Sequence, residues 1–203
     1  RNLRKNGTYS FLNIFGLTIG IVCASLIFLW VEDEVSYDDF NTKKDNLYYV
    51  RVNQKYDTYT ATHGSTPGVM GPAMQKEIPG IANTCRTSEG PVELLFTIGD
   101  KPIYASGKFA EPSIFKMFTL PFVAGNADTA FKELYSIVLT EKTAKRFFGK
   151  SNDVIGKSIK VNNEYDFVVT GVLKDLPENS TLQLDWVMPF KIFFAQSPWL
   201  HSW

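Results

Sequence analysis

The chain is 203 residues long, which allows one sizeable domain and little more. Its hydrophobic content of 44% and aromatic content of 14% are ample for a packed core and argue against disorder. The 21 basic residues balance 21 acidic ones, so the basic surface typical of a nucleic-acid-binding protein is not indicated.

An uncharged run of 21 residues, Phe11–Val31, predicts a transmembrane helix. At about 1.5 Å per residue it covers about 31 Å, the thickness of the hydrocarbon core of a bilayer. A soluble core helix of this length would need a polar stripe, and a signal peptide would have a shorter apolar region that ends in small residues. The run instead ends in Leu29-Trp30-Val31-Glu32, and the residues before Cys23 do not suit lipoprotein processing. We therefore expect the helix to be retained.

The charges on either side of this run predict its orientation. Arg1, Arg4 and Lys5 precede it without an acid, and five acidic residues lie between Glu32 and Asp39. Lysine and arginine accumulate on the cytoplasmic side of membranes, so the N-terminus is expected inside the cell. The expected division is a cytoplasmic segment at 1–10, a transmembrane helix at 11–31 and an extracytoplasmic domain at 32–203. If the source is a two-membrane bacterium, the membrane is its inner membrane and the domain is periplasmic.

One face of the predicted span carries small residues. Gly16, Gly20 and Ala24 follow one another at four-residue spacing, and Asn13 lies close to the same stripe. Small residues at this spacing allow a second helix to approach closely, and a buried asparagine can hydrogen-bond across the interface. These four residues are our helix-packing candidates. The alternative is the ordinary glycine content of transmembrane helices.

Beyond Phe40, strand and helix patterns alternate irregularly. The first elements expected are a strand at 47–52, a helix from Thr66-Pro67 or Gly71-Pro72 to about Ile78, short strands at 84–87, 92–98 and 102–109, and a short helix from Pro112. Then follow a strand at 136–139, a helix capped by Thr140 and stopped by Gly149, a hairpin of 158–161 and 165–172 around Asn162-Asn163, and a strand at 182–187. Without a regular βαβ rhythm, the pattern favours an α+β domain.

Patterns that suggest chemistry are incomplete. Gly156-Lys157-Ser158 resembles the end of a phosphate-binding loop, but Ser151 stands where the first glycine is needed, and a turn before a strand fits better. Ser113 and Lys116 match the bare spacing of acylating serine enzymes without the companion motifs. We therefore expect no catalytic residue and no cofactor.

A metal site is not indicated either. His63 and His201 are the only histidines and lie far apart in sequence. The acidic cluster Glu32–Asp39 could gather a divalent cation, although a solvated face beside the membrane is the commoner role of such a cluster. Asn179-Ser180-Thr181 fits the glycosylation pattern, which has no meaning in a bacterial protein.

Several stretches together resemble the first half of a permease of the macrolide-exporter (MacB) and FtsX-like class of ABC transporters. The stretch Asn13–Gly20 resembles the first transmembrane helix of that class, and Asp33–Phe40 resembles the segment that follows it in Bacteroidetes members. The remaining matches are Leu47–Val50, Leu139–Gly149, Val154–Ile159, Val169–Val172 and Asp175–Ser180. Many relatives have serine in place of Thr140, which leaves the capping chemistry unchanged.

The resemblance implies a four-helix permease with a large periplasmic domain between its first two helices, mixed α/β near the membrane and β-rich further out. It also implies an ABC ATPase as a separate subunit or fused domain, a permease homodimer or heterodimer, and a possible periplasmic partner protein. The domain would transmit ATP-driven motion to a substrate, and the permease itself would not be an enzyme. We expect the chain, which begins at Arg1 and stops at Trp203, to be a fragment of such a protein.

Two other classes of protein remain as alternatives. A membrane-anchored signalling receptor would use the outer domain to sense a ligand, with a second helix leading to a cytoplasmic output domain. A membrane-anchored hydrolase would need catalytic residues, which the sequence does not supply. Within the permease hypothesis, drug or peptide export, lipoprotein release and control of a cell-wall hydrolase stay open.

Overall fold

The computed structural model describes residues 7–202, and its first element is a long helix, α1 (Gly7–Val35). None of its residues is buried, and an 18-residue window within it has a mean hydropathy of 2.5. Among the described residues it is the one helix long and apolar enough to cross a bilayer. Its lack of buried residues argues against the core-helix alternative. The basic residues expected to face the cytoplasm, Arg1, Arg4 and Lys5, lie outside the described residues.

Residue contacts divide the chain into two compact units. The first contains α1, the chain up to Asp39, and the distant segment Asn179–Thr181. The second contains residues 40–178 and the chain from Leu182 onward. All the strands belong to the second unit.

The second unit mixes short helices with strands, as the sequence predicts. Its strands are β1 (Val52–Lys55), β2 (Thr60–His63), β3 (Val92–Ile98), β4 (Lys101–Ala110), β5 (Phe122–Ala124), β6 (Ser136–Thr140), β7 (Ser158–Val161), β8 (Tyr165–Leu173) and β9 (Trp186–Pro189). Its helices are α2 (Met70–Glu77), α3 (Ile114–Met117), α4 (Glu141–Phe148) and α5 (Phe190–Ala195), with 3-10 turns at Lys44–Asn46 and Pro198–His201. The α+β prediction is confirmed.

The strands form a hairpin and one larger sheet. β1 and β2 pair antiparallel, apart from the other strands. The remaining seven follow the order β5-β8-β6-β9-β4-β3-β7, and β7 also pairs with β8. Six strands, from β8 through β6, β9, β4 and β3 to β7, thus close into a ring of pairings. Closure satisfies edges that an open sheet would leave unpaired.

The central strands β6 and β9 are buried on both faces. In β6, Ile137 and Leu139 join one hydrophobic cluster, and Val138 between them joins a second. In β9, Trp186 lies in the first cluster and Val187 in the second. Alternate residues of a strand point to opposite faces, so both strands lie between two apolar layers. This explains why their sequences are continuously hydrophobic.

The predictions based on local turn and cap chemistry are confirmed. The Thr140 hydroxyl oxygen accepts a hydrogen bond from the Thr143 amide (3.3 Å) at the start of α4, as an N-cap should. Gly149 ends α4 in the left-handed conformation, with φ of 74°. Asn162 and Asn163 have φ values of 51° and 57° in the three-residue connection between Val161 and its partner Tyr165, and asparagine tolerates such positive angles.

Predictions based on strand propensity alone are less accurate. Leu47–Val52 contributes only Val52 to β1, and residues 84–87 contribute a single bridge between Thr87 and Ala110. The strand expected at 182–187 instead begins at Trp186, where its partner Gly107 becomes available in β4. A strand needs a partner as well as suitable residues, and in each of these cases the partner pairs with only part of the predicted segment.

Candidate functional site

The four helix-packing candidates lie together on an exposed face of α1. At about 100° per residue, Asn13, Gly16, Gly20 and Ala24 fall within an arc of about 80°. All four are exposed, and a Cβ atom built on Gly16 or Gly20 would have no other atom within 4 Å. The face is therefore smooth and free of partners among the described residues. Its role in helix packing stays a prediction.

A second cluster, within the other unit, centres on Arg86. Its Nε and Nη2 donate to Oε1 of Glu111 at 3.0 and 2.6 Å, and its Nη1 donates to the Gly68 carbonyl oxygen at 2.6 Å. The guanidinium carbon also lies 5.1 Å from the ring centroids of both Phe190 and Phe194. A bidentate, aromatic-stacked arginine is well ordered. Arg86 therefore joins four segments that are distant in sequence.

A concave surface of about 390 Å³ lies beside Arg86 and Glu111, and Phe131, Lys132 and Lys191 contribute to its lining. This volume is within the range of small-ligand pockets. The hydrogen-bonding nitrogens named above are already used within the domain, so Arg86 is a structural residue here.

A third cluster is built around Asp185, just before β9. Its Oδ2 accepts from the Ser106 amide and from Arg146 Nη2, both at 3.1 Å, and its Oδ1 accepts from the Thr143 hydroxyl at 3.0 Å. The Asp185 carbonyl oxygen accepts from the Thr140 amide at 3.1 Å. The side chain thus ties β4 and α4 to the start of β9. A carboxylate that accepts three hydrogen bonds from separate segments fixes the relative position of those segments.

The residues that suggested chemistry occupy structural positions. Ser113 donates its hydroxyl hydrogen to the Thr84 carbonyl oxygen at 2.7 Å. Gly156 has a φ of 81° in the turn before β7, which begins at Ser158, as the turn interpretation expects. His201 stacks on Phe194 with 4.3 Å between ring centroids. Within residues 7–202, no group of three or more His, Cys, Asp or Glu side chains is placed to hold a metal ion.

Comparison with known proteins places this arrangement in a family. A family model described as the MacB-like periplasmic core domain matches residues 10–200. The chain belongs to that family. The predicted membership of the MacB/FtsX-like permease class is thereby confirmed.

Three solved structures resemble the MacB-like chain. The first is a domain of a protein assigned as a permease in Porphyromonas gingivalis, with 28% identity, a TM-score of 0.59, and coverage of 70% of this chain and 64% of that one. The second is the periplasmic region of MacB from Actinobacillus actinomycetemcomitans (19% identity, TM-score 0.47, coverage 62% and 56%). The third is the extracellular domain of the noncanonic ABC-type transporter YknZ from Gram-positive bacteria (14%, 0.49, 66% and 69%).

The MacB-like chain spans less than two thirds of the Porphyromonas domain that it resembles. A search of curated proteins gives no match. A family domain preceded by an exposed apolar helix of membrane-spanning length is the arrangement of a membrane-anchored protein.

Sequence reasoning missed both polar clusters of the MacB-like domain. Arg86 and Glu111 are 25 residues apart, and Arg146 and Asp185 are 39 apart, so neither pair has a local pattern. The one available indication was the charge itself, because Asp185 interrupts an apolar segment and Arg86 interrupts a short predicted strand. A charge at such a position needs a partner.

Cys85 gives the MacB-like domain a pH-dependent contribution to stability. Burial raises the pKa of its thiol from 9.0 to about 11. Between these values the unfolded chain loses the proton while the folded chain keeps it. The contribution of Cys85 is therefore fully present below pH 9 and is lost as the pH rises through 11, up to about 3 kcal/mol.

Urea unfolding of the whole chain in detergent, at pH 8 and at pH 10.5, measures this contribution. We expect the free energy of unfolding of the native protein to fall more between these pH values than that of Cys85→Ala. Burial also lowers the pKa of Lys108, but this effect is common to both proteins and cancels in the comparison. Parallel losses of stability in the two proteins would contradict the prediction.

Proposed function

We propose that the chain is the first helix and the periplasmic domain of an ABC transporter permease subunit. In this role the domain couples ATP-driven motion to export or extraction of a substrate, and the subunit itself performs no catalysis. The observation that carries the proposal is that a helix with no buried residue and an uncharged run at 11–31 precedes a MacB-like core domain in the same chain. The likeness to the domain assigned as a permease in Porphyromonas gingivalis supports it.

The domain's chemistry fits mechanical work. The polar groups around Arg86 and Asp185 form hydrogen bonds that hold separate segments of the fold together. A domain that transmits movement needs such rigid connections, because a soft domain would absorb the displacement that it should pass on. This argument favours a structural role over ligand chemistry.

The proposal includes partners and a location. The N-terminus is cytoplasmic, α1 spans the bacterial inner membrane, and residues 32–203 belong to the periplasmic domain. An ABC ATPase, as a separate subunit or a fused domain, supplies the energy. The permease assembles as a homodimer or heterodimer and can act with a periplasmic partner protein.

Membrane topology and ATPase binding test the proposal. The full-length protein, with an epitope tag inserted after Phe40, should need detergent for extraction and should show the tag only on the periplasmic side. An ABC ATPase should co-purify with it in a fixed stoichiometry. A variant ATPase that cannot hydrolyse ATP is the control, because it should bind equally and leave the complex inactive. Recovery from the aqueous fraction, a cytosolic tag, or a signalling kinase in place of the ATPase would overturn the proposal.

A further inference from the structure

Residues at the end of α1 are hydrogen-bonded to a segment that is more than 140 positions away in sequence. The participants are Ser36, Asp38, Asn179, Ser180 and Thr181, which we call the exit clasp. All five residues belong to the same compact unit of the chain. Except for Thr181, the clasp residues lie in stretches that carry the family resemblance. The fold described above assigns no function to either stretch.

Asp38 is the centre of the clasp. Its Oδ1 accepts from the Thr181 amide at 3.0 Å and from the Ser180 hydroxyl at 3.3 Å, and its Oδ2 accepts from the Thr181 hydroxyl. Its own amide donates to the Asn179 carbonyl oxygen at 2.9 Å. Hydrogen bonds to an ionised carboxylate are stronger than those between neutral groups. One side chain thus accepts three hydrogen bonds from the 179–181 segment.

Asn179 completes the clasp at the helix end. Its Nδ2 donates to the Ser36 carbonyl oxygen and to the Ser36 hydroxyl, both at 3.0 Å. Ser36 directly follows the last residue of α1, where helix carbonyl groups have no partner within the helix. The side-chain amide of Asn179 therefore holds the residue that follows the helix, from a distant part of the chain.

The backbone of Asp38 is also specialised. Its φ is 58°, in the left-handed region that asparagine and aspartate tolerate better than most residues. This conformation lets Asp38 direct both its amide and its carboxylate to the same segment. Such an unusual backbone conformation needs surrounding interactions to maintain it, and the clasp provides them.

The segment held by the clasp connects two strands of the large sheet. Asn179–Thr181 follows the end of β8 at Leu173 after five residues and precedes the start of β9 at Trp186 by four. Both strands pair with the doubly buried strand β6. The clasp is therefore joined through short tethers to the most buried part of the sheet.

We propose that the exit clasp is a coupling element, in which Asp38, Asn179 and Thr181 are positioning residues that fix the end of α1 to the β8–β9 connection. A displacement of the helix end is then passed to both strands through the residues that connect them to Asn179–Thr181, in addition to the path through residue 40. This inference rests on the proposed function, since it assigns the route by which ATP-driven motion reaches the domain.

A pair of variants at position 38 separates the carboxylate from the backbone. Asp38→Gly removes all three acceptor contacts, and glycine adopts a positive φ without strain. Asp38→Asn is the matched conservative variant, because it keeps Oδ1 as an acceptor and tolerates the same φ. Glu32→Gln, which removes a nearby acidic charge outside the clasp, controls for charge alone.

Hydrogen exchange of the 203-residue chain in detergent tests the clasp itself. Exchange of the Thr181 amide should rise about tenfold in Asp38→Gly, which corresponds to the loss of about 1.4 kcal/mol of protection. It should rise less in Asp38→Asn and stay unchanged in Glu32→Gln. Rapid exchange of Thr181 in the native chain would overturn the clasp.

Hydrogen exchange of the full-length permease with its ATPase tests the coupling. In the native complex, exchange in residues 174–185 should differ between the nucleotide-free and ATP-trapped states, and Asp38→Gly should remove that difference while ATP binding and the exchange of α1 stay unchanged. A difference that persists in Asp38→Gly overturns the inference and leaves the proposed function standing. If ATP changes exchange nowhere in the native domain, the proposed function fails instead, and the coupling inference fails with it.

Discussion

Replacing Gly107 by alanine is expected to destabilise the domain by about 3 kcal/mol or more, the largest effect we expect from so small a change. Gly107 in β4 lies opposite Trp186 in β9. A Cβ atom on Gly107 would lie 2.7 Å from Cε2 of the indole and closer still to the Trp186 carbonyl oxygen. Neither atom belongs to a flexible side-chain end, so the strands themselves would have to move apart.

The indole cannot escape the clash by rotating. Trp186 is fully buried, and its Nε1 donates to the Ala105 carbonyl oxygen at 3.0 Å. Its ring also contacts Phe109 and Phe96, with centroids 5.3 and 6.0 Å away. A domain of this size is stable by only about 5–15 kcal/mol, so the loss is a large fraction of the total.

Pulse proteolysis in urea, on the whole chain in detergent, measures this loss. Gly99→Ala is the matched control, because Gly99 has a φ of 60° but open space around its would-be Cβ. It should cost about 1–2 kcal/mol from backbone strain alone. If Gly107→Ala lowers the free energy of unfolding no more than Gly99→Ala does, then the close approach of Trp186 is not the reason for a glycine at position 107.

The sequence was a good guide where one short segment contains the whole cause of a structure. The Thr140 cap, the Gly149 stop and the Asn162-Asn163 turn each depend on groups within about four residues of one another. The uncharged run that became α1 likewise depends only on its own composition. These features could be predicted because no distant partner decides them.

The rest depends on contacts between distant segments. The six-stranded ring closes through two residue pairs of β3 and β7, Phe96 with Val161 and Thr97 with Lys160. No sequence pattern in either strand predicts this pairing. Tyr48 and Tyr49 look like strand residues yet are 83% and 70% exposed. Strand propensity describes the backbone conformation that a segment can adopt. Strand pairing also requires a second segment that the fold places beside it.

The same distinction applies to the functional residues. The small-residue face of α1 was visible because its members recur at helical spacing. Asp38 and Asn179 belong to separate stretches of the sequence, and their connection depends on the path of the chain. Polar residues whose partners are more than 140 positions away cannot be paired from one sequence.

Replacing Gly20 by leucine is expected to weaken assembly of the membrane helices while leaving the domain folded. Apart from the adjacent backbone of α1, a Cβ on Gly20 meets no atom of residues 7–202 within 4 Å, so these residues leave room for the larger side chain. A helix that approaches this face closely would be pushed away by the leucine. We expect association to weaken roughly tenfold or more, the effect of about 1.4 kcal/mol, and ATP-linked activity to fall with it.

Crosslinking of the full-length permease in membranes measures the association, and protease resistance of the periplasmic domain reports its folding. Ser25→Leu is the matched control, since it adds similar bulk about 140° around the helix from Gly20. Gly16→Leu should reproduce the Gly20→Leu defect, because both lie on the same face. Equal assembly and activity in Gly16→Leu, Gly20→Leu and Ser25→Leu would show that the stripe is only the ordinary glycine content of a transmembrane helix. A defect confined to the two glycine variants would instead identify this face as the surface on which the permease assembles.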